Sequence, residues 1–233
     1  MPNWTIKTAD GGAMDAYVAM PSATPAPAII VIQEIFGINE GIRTRCEEYA
    51  AKGYLAIAPD LFWRLEPNVD LTDKTPEEWA KAFDLMNRFD IDQGVKDLND
   101  TLVQTRDSKD CDGFVADIGF CLGGKLAYLM ATRTDVDATV SYYGVGIQDK
   151  LDEMDNIKAP TLFHIAGKDK FVPKEAQDAI VAKAAPNDLL DTYVYKDCDH
   201  AFTRKGGEHY DEAATILADA ASFALLEKAR NAR

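Results

Sequence analysis

The sequence predicts an α/β fold, a mostly parallel sheet of about eight strands with helices on both faces. Three observations predict it. Short apolar runs alternate with segments of helical composition along most of the chain. Several of those runs, such as 28–33 and 161–166, are apolar almost throughout, as strands buried on both faces of a parallel sheet must be. Residues able to do chemistry (Glu34, Asp60, Cys121, Tyr143, Asp169 and His200) come just after the runs, at the strand ends where open α/β sheets bind ligands. No repeat, low-complexity tract or linker interrupts the 233 residues, so one domain over 1–233 is expected.

Residues 4–8 and 14–20 read as two strands joined at the turn Asp10-Gly11-Gly12. The run 28–33 is the first fully apolar strand, and a helix follows from about 40 to 52, stopped by Gly53. Residues 54–58 form the next strand. Thr75 and Pro76 supply an N-cap and a first-turn proline for helical periodicity over 76–106, broken near Asp90. Strand 114–120 leads into helix 122–132. Strands follow at 138–143, 161–166 and 191–195, with a helix over 174–184 and a closing Ala-rich helix over 207–228.

The net charge of −14 argues against nucleic acid or an anionic membrane surface as partner, because both require a basic face. No apolar run reaches the roughly 18 residues of a membrane span. The opening residues lack the basic and apolar segments of an export signal, so a cytoplasmic protein is expected. Its cysteines, Cys46, Cys111, Cys121 and Cys198, show no CxxC pair and no zinc spacing, and are expected as thiols. No dinucleotide fingerprint, phosphate loop or metal-ligand cluster stands out, so neither cofactor nor metal is expected.

The densest chemistry lies in Gly119-Phe120-Cys121-Leu122-Gly123-Gly124, between a predicted strand and a predicted helix. A nucleophile flanked by glycines two residues away on either side is the pattern of a strand-to-helix elbow. The helix N-terminus leaves unpaired N–H groups and partial positive charge beside the sulfur. Alone, the same pattern also describes a packing turn around a small buried cysteine. Asp169 and His200 complete an order of nucleophile, acid and base, each just past a strand. Asp169 also reads as a turn residue. His164 sits inside an apolar strand and reads as a core histidine; His209 reads as exposed. A second reading makes Cys121 a redox-sensing thiol, though no resolving cysteine is evident and the acid and histidine would then have no purpose.

These residues resemble the dienelactone hydrolase (carboxymethylenebutenolidase) family, α/β-hydrolases with a cysteine nucleophile. The likeness covers nearly the whole chain. It is carried by the stretches 33–37, 59–61, 119–124, 142–146, 167–173 and 200–204. It implies opening of the enol-lactone 4-carboxymethylenebut-2-en-4-olide to maleylacetate in aromatic-compound degradation, through an acyl-enzyme. Cys121 would be the nucleophile, His200 the base and Asp169 its orienting acid. The Leu122 and Ile35 N–H groups would form the oxyanion hole. Glu34 would hold and deprotonate the resting thiol, and Arg204 would bind the substrate carboxylate. A monomer is the family default.

One position departs from the family pattern. Aligned on Phe89-Asp90, Trp79 stands where the family carries a second carboxylate-binding arginine, and Arg88 lies too far along to substitute for it. The departure implies a larger or more apolar substrate, with Phe36, Trp63, Trp79 and Phe83 as an aromatic wall and Tyr143 among the contacts. A small-ester, thioester or larger-lactone hydrolase is the alternative specificity.

Overall fold

The computed structural model describes residues 4–232; the first three residues of the stretch read for an export signal lie outside it. Eight strands form one sheet in the order β1-β2-β4-β3-β5-β6-β7-β8. By its internal contacts the chain divides into two compact units, 1–116 and 117–233, with the division inside β5.

In the first unit, β1 (Trp4–Lys7) and β2 (Ala13–Ala19) form the expected hairpin, Trp4 opposite Ala16 and Lys7 opposite Ala13. β2 runs antiparallel to β4 (Leu55–Pro59), and β3 (Ala26–Ile32) runs parallel to it. Every residue of β3 and β4 is buried, the reason both read as unbroken apolar runs. Helix α1 (Glu40–Ala51) packs on β2, β3 and β4. Its N-cap Asn39 accepts the Ile42 N–H at 3.1 Å.

The long helical pattern resolves into α2 (Pro76–Arg88) and α3 (Ile91–Arg106). The break falls where Asp90 caps α3 by accepting the Gln93 N–H at 3.0 Å. Thr75 caps α2 with Pro76 in its first turn, as the sequence implies.

In the second unit, β5 (Cys111–Phe120) ends at the elbow and α4 (Leu122–Arg133) begins there. β6 (Ala138–Tyr142), β7 (Thr161–Ala166) and β8 (Leu190–Tyr195) are parallel neighbours. Helix α5 (Lys174–Ala184) packs on β8, and α6 (Glu212–Asn231) packs on β6 and β7.

Most boundaries fall within two or three residues of expectation, and three features differ more. β5 starts at Cys111 because Gly113, at φ 96°, lets the strand pass through what reads as a turn. A 3₁₀ segment, Ile147–Asn156, has no periodicity to announce it. α6 begins at Glu212 rather than near 207, because Asp211 accepts the Ala214 N–H at 2.9 Å and caps it there. Residues 201–210 are turns instead.

Candidate active site

The elbow is built by close backbone approach. A Cβ on Gly119 would lie 1.9 Å from the Gly123 carbonyl oxygen, and one on Gly124 would lie 2.6 Å from that of Tyr142. Only glycine permits both approaches. Cys121 sits between them at φ 58°, ψ −115°, a conformation that costs a non-glycine residue about 1–3 kcal/mol. Hydrogen bonds hold it there. The Cys121 N–H donates to Tyr142 O at 3.1 Å, and its carbonyl accepts from Gly124, Lys125 and Val145 at 3.0, 3.2 and 3.3 Å. The Cys121 side chain does not cap α4, so the positive end of the helix acts beside the sulfur. Leu122 is the first residue of α4 and is buried.

Asp169 and His200 meet in the same unit. His200 Nδ1 lies 2.7 Å from Asp169 Oδ2, with side chains 8% and 1% exposed. Asp169 Oδ1 accepts the Phe171 N–H at 2.8 Å, so both carboxylate oxygens are fixed. The His200 ring makes edge contacts with Tyr143 at 5.1 Å and Phe171 at 4.9 Å between centroids. Tyr143 is itself held, its hydroxyl 2.8 Å from Thr203 Oγ1 and its N–H donating to His164 O at 2.8 Å.

Burial alone would lower the pKa of His200. Negative charge on the Cys121 sulfur, with hydrogen bonds to Asp169 and to Cys121, outweighs burial and pushes it up to about 10. The sulfur and the imidazole therefore act as one electrostatic unit, in which the imidazole can take up and release a proton beside the sulfur. Arg204 lies on the His200 loop, half-buried, its N–H donating to Ala201 O at 2.9 Å.

The remaining expected residues lie in the first unit. Glu34, Ile35 and Phe36 follow β3 and are buried. Trp79 and Phe83 stack on α2 at 5.5 Å, and Phe36 meets Trp79 edge-on at 5.0 Å, so three members of the expected aromatic wall do associate. The fourth, Trp63, is committed elsewhere: its Nε1–H donates to Asp97 at 2.9 Å and Arg64 lies over its ring. Asp60, though placed after a strand, braces a turn by accepting the Phe62 and Asn68 N–H groups at 3.2 and 2.6 Å.

Phe171 was given no role by sequence reasoning. The residue is 46% exposed, and its ring meets that of His200 edge-on. The signal was its position two residues after Asp169, on the loop that delivers the acid.

Among the described residues no helix is long and apolar enough to cross a membrane, and no three His, Cys, Asp or Glu side chains gather as a metal site.

The family model for the dienelactone hydrolase family matches residues 14–229. A provisionally named carboxymethylenebutenolidase of Azospirillum brasilense is 43% identical over 237 residues, covering 98% of this chain and 99% of that protein. Carboxymethylenebutenolidase 1 of Cupriavidus pinatubonensis is 36% identical over 221 residues, covering 95% and 94%. Among solved structures, a provisionally named dienelactone hydrolase from Klebsiella pneumoniae superposes with a TM-score of 0.84 at 28% identity, covering 96% of each chain. With the eight-stranded sheet, these likenesses establish the α/β-hydrolase fold. The chain belongs to the dienelactone hydrolase family, hydrolases of ester and lactone bonds.

Proposed function

We propose that this chain is a cysteine-nucleophile hydrolase of dienelactone type, working as a single α/β-hydrolase domain and as a monomer in the cytoplasm. The observation that carries the reading is the buried Asp169–His200 pair at 2.7 Å, electrostatically joined to a cysteine on a glycine-flanked elbow. A family match that runs from residue 14 to 229 supports one functional domain.

In the proposed reaction the Cys121 sulfur attacks the lactone carbonyl carbon. The carbonyl π pair moves onto oxygen, where the Leu122 N–H at the start of α4 would receive it. As the tetrahedral carbon collapses, the ring C–O bond breaks and the enol oxygen leaves, taking its proton from His200. A water molecule then gives a proton to His200 and attacks the thioester, and the C–S bond breaks, releasing the acid and restoring the thiolate–imidazolium pair. Asp169 fixes the ring so that Nε2 faces the reacting atoms.

With 4-carboxymethylenebut-2-en-4-olide the product enol becomes the ketone maleylacetate, a step in aromatic-compound degradation. Arg204 would pair with the substrate carboxylate. Roles for Ile35 in the oxyanion hole, for Glu34 on the resting thiol, and for Phe36, Trp79, Phe83 and Tyr143 along the substrate rest on the family resemblance.

A hydrolase of larger or more apolar lactones and esters is the second reading. It is favoured by the Phe36–Trp79–Phe83 ring cluster, which has Trp79 in place of a cation. Steady-state assays on the dienelactone isomers and on aryl esters decide between them. Hydrolysis of neither would overturn both.

A further inference from the structure

We propose that His164 is a positioning residue for the hydrolytic site, the centre of a one-way hydrogen-bond chain that sets Tyr142 and Tyr143. The proposal rests on the reading that Cys121 and His200 do the chemistry.

His164 is buried within β7, yet both ring nitrogens are engaged. Nδ1 lies 2.9 Å from the Tyr195 hydroxyl on β8, and Nε2 lies 2.9 Å from Ser222 Oγ on α6. Ser222 Oγ is 2.7 Å from the Tyr142 hydroxyl, which is 2.9 Å from Asp219 Oδ1. Four secondary-structure elements, β6, β7, β8 and α6, are thus tied through one imidazole. The Tyr142 ring also lies against His164, with centroids 4.3 Å apart.

Counting protons gives the chain a direction. An ionised carboxylate only accepts, so the single Tyr142 hydroxyl proton goes to Asp219. The single Ser222 proton then has two acceptors, the Tyr142 oxygen at 2.7 Å and Ala218 O at 3.0 Å from Oγ, and either choice leaves Ser222 oxygen to accept from its other side. Ser222 oxygen accepts from His164 Nε2–H, leaving Nδ1 to accept from Tyr195. Burial holds the pKa of His164 down to about 3, so the ring stays neutral and the Nε2–H tautomer is the one that satisfies every group.

What the chain holds is the support of the site. Tyr142 O receives the Cys121 N–H at 3.1 Å, and His164 O receives the Tyr143 N–H at 2.8 Å. Tyr143, at the unusual φ of 39°, presents its ring to His200 at 5.1 Å. The nucleophile's backbone and the base's ring therefore rest on two adjacent residues that the His164 chain anchors on either side. A small displacement there moves sulfur and imidazole relative to one another, and misplacement by about 1 Å can cost on the order of 100-fold in rate.

The test uses Tyr142→Phe and Ser222→Ala, with Ser222→Thr as the conservative rescue. The expected result is a fall in kcat of roughly tenfold with KM little changed, a changed rate of Cys121 alkylation by iodoacetamide, and a shifted His200 titration, all restored by Ser222→Thr. Folded variants with lowered Tm but unchanged kcat, alkylation rate and His200 titration would overturn the proposal. ¹⁵N NMR of the unmodified protein gives an independent arm. The Nε2–H tautomer of His164 is expected, and Nδ1–H would contradict the chain. Alkylation and titration need no turnover, so their failure is distinct from a failure of the hydrolase reading.

Discussion

Asp169 faces His200 with one carboxylate oxygen, 2.7 Å from Nδ1, and is anchored through the other by the Phe171 N–H at 2.8 Å. An acid gripped at both oxygens gives the imidazole one orientation and one tautomer. Asp169→Asn keeps the shape but presents the wrong donor to Nδ1. We expect kcat to fall by about 10³–10⁴-fold with KM little changed, measured in steady state on a chromogenic ester.

Cys121 and His200 are coupled, and the coupling has a sign. Burial lowers the histidine pKa, while the sulfur charge and the hydrogen bonds with Asp169 and Cys121 raise it to about 10, from an unfolded value of 6.5. A folded pKa above the unfolded one means the folded protein binds the proton more tightly. The stability this confers is complete below about pH 6.5 and is lost as pH rises through about 10. Cys121→Ala removes the leading cause of the rise. The His200 titration followed by NMR should move to lower pH, and the alkaline loss of stability in urea melts should contract with it.

Gly119 has no room for a side chain. A methyl group there would meet backbone atoms of Gly123 at 1.9 and 2.3 Å, and backbone cannot swing aside as a flexible side chain can. Gly119→Ala should destabilise by about 3 kcal/mol or more and displace Cys121. Thermal melts and single-turnover kinetics should show lowered Tm and reduced acylation together.

Trp79 tests specificity. It stacks on Phe83 and meets Phe36 edge-on. Trp79→Arg should lower KM for a lactone bearing a carboxylate and raise it for apolar aryl esters. Paired kcat and KM measurements on both substrates check this.

Much of this site is legible in the sequence because of where its residues stand. Cys121 comes immediately after β5, while Asp169 and His200 lie in the loops after β7 and β8, so a correct reading of strands places all three residues at strand ends. β7 and α5 are bounded where the sequence places them, one by a continuous apolar run and the other by Pro173 ahead of it. The start of α6 is not legible because Glu208, His209 and Tyr210 are compatible with a helix, whereas the backbone stays in turns until Asp211 caps the helix. The partners of His164 were beyond reach. Its burial follows from the apolar strand around it, but Ser222 is 58 positions away and is brought to it only by the packing of α6 on β7. Trp63 shows the opposite failure. An aromatic side chain suggested a substrate wall, and a buried carboxylate, Asp97, had already claimed its N–H.

The central claim is that Cys121 carries the acyl group. Rapid quench of the protein with a slow ester, followed by intact-mass and peptide mass spectrometry, tests it most directly. A stoichiometric acyl adduct on the peptide containing Cys121 is expected, formed in a burst and absent from Cys121→Ala, which should not turn over. Hydrolysis by Cys121→Ala at an undiminished rate, or an adduct on another residue, would contradict it.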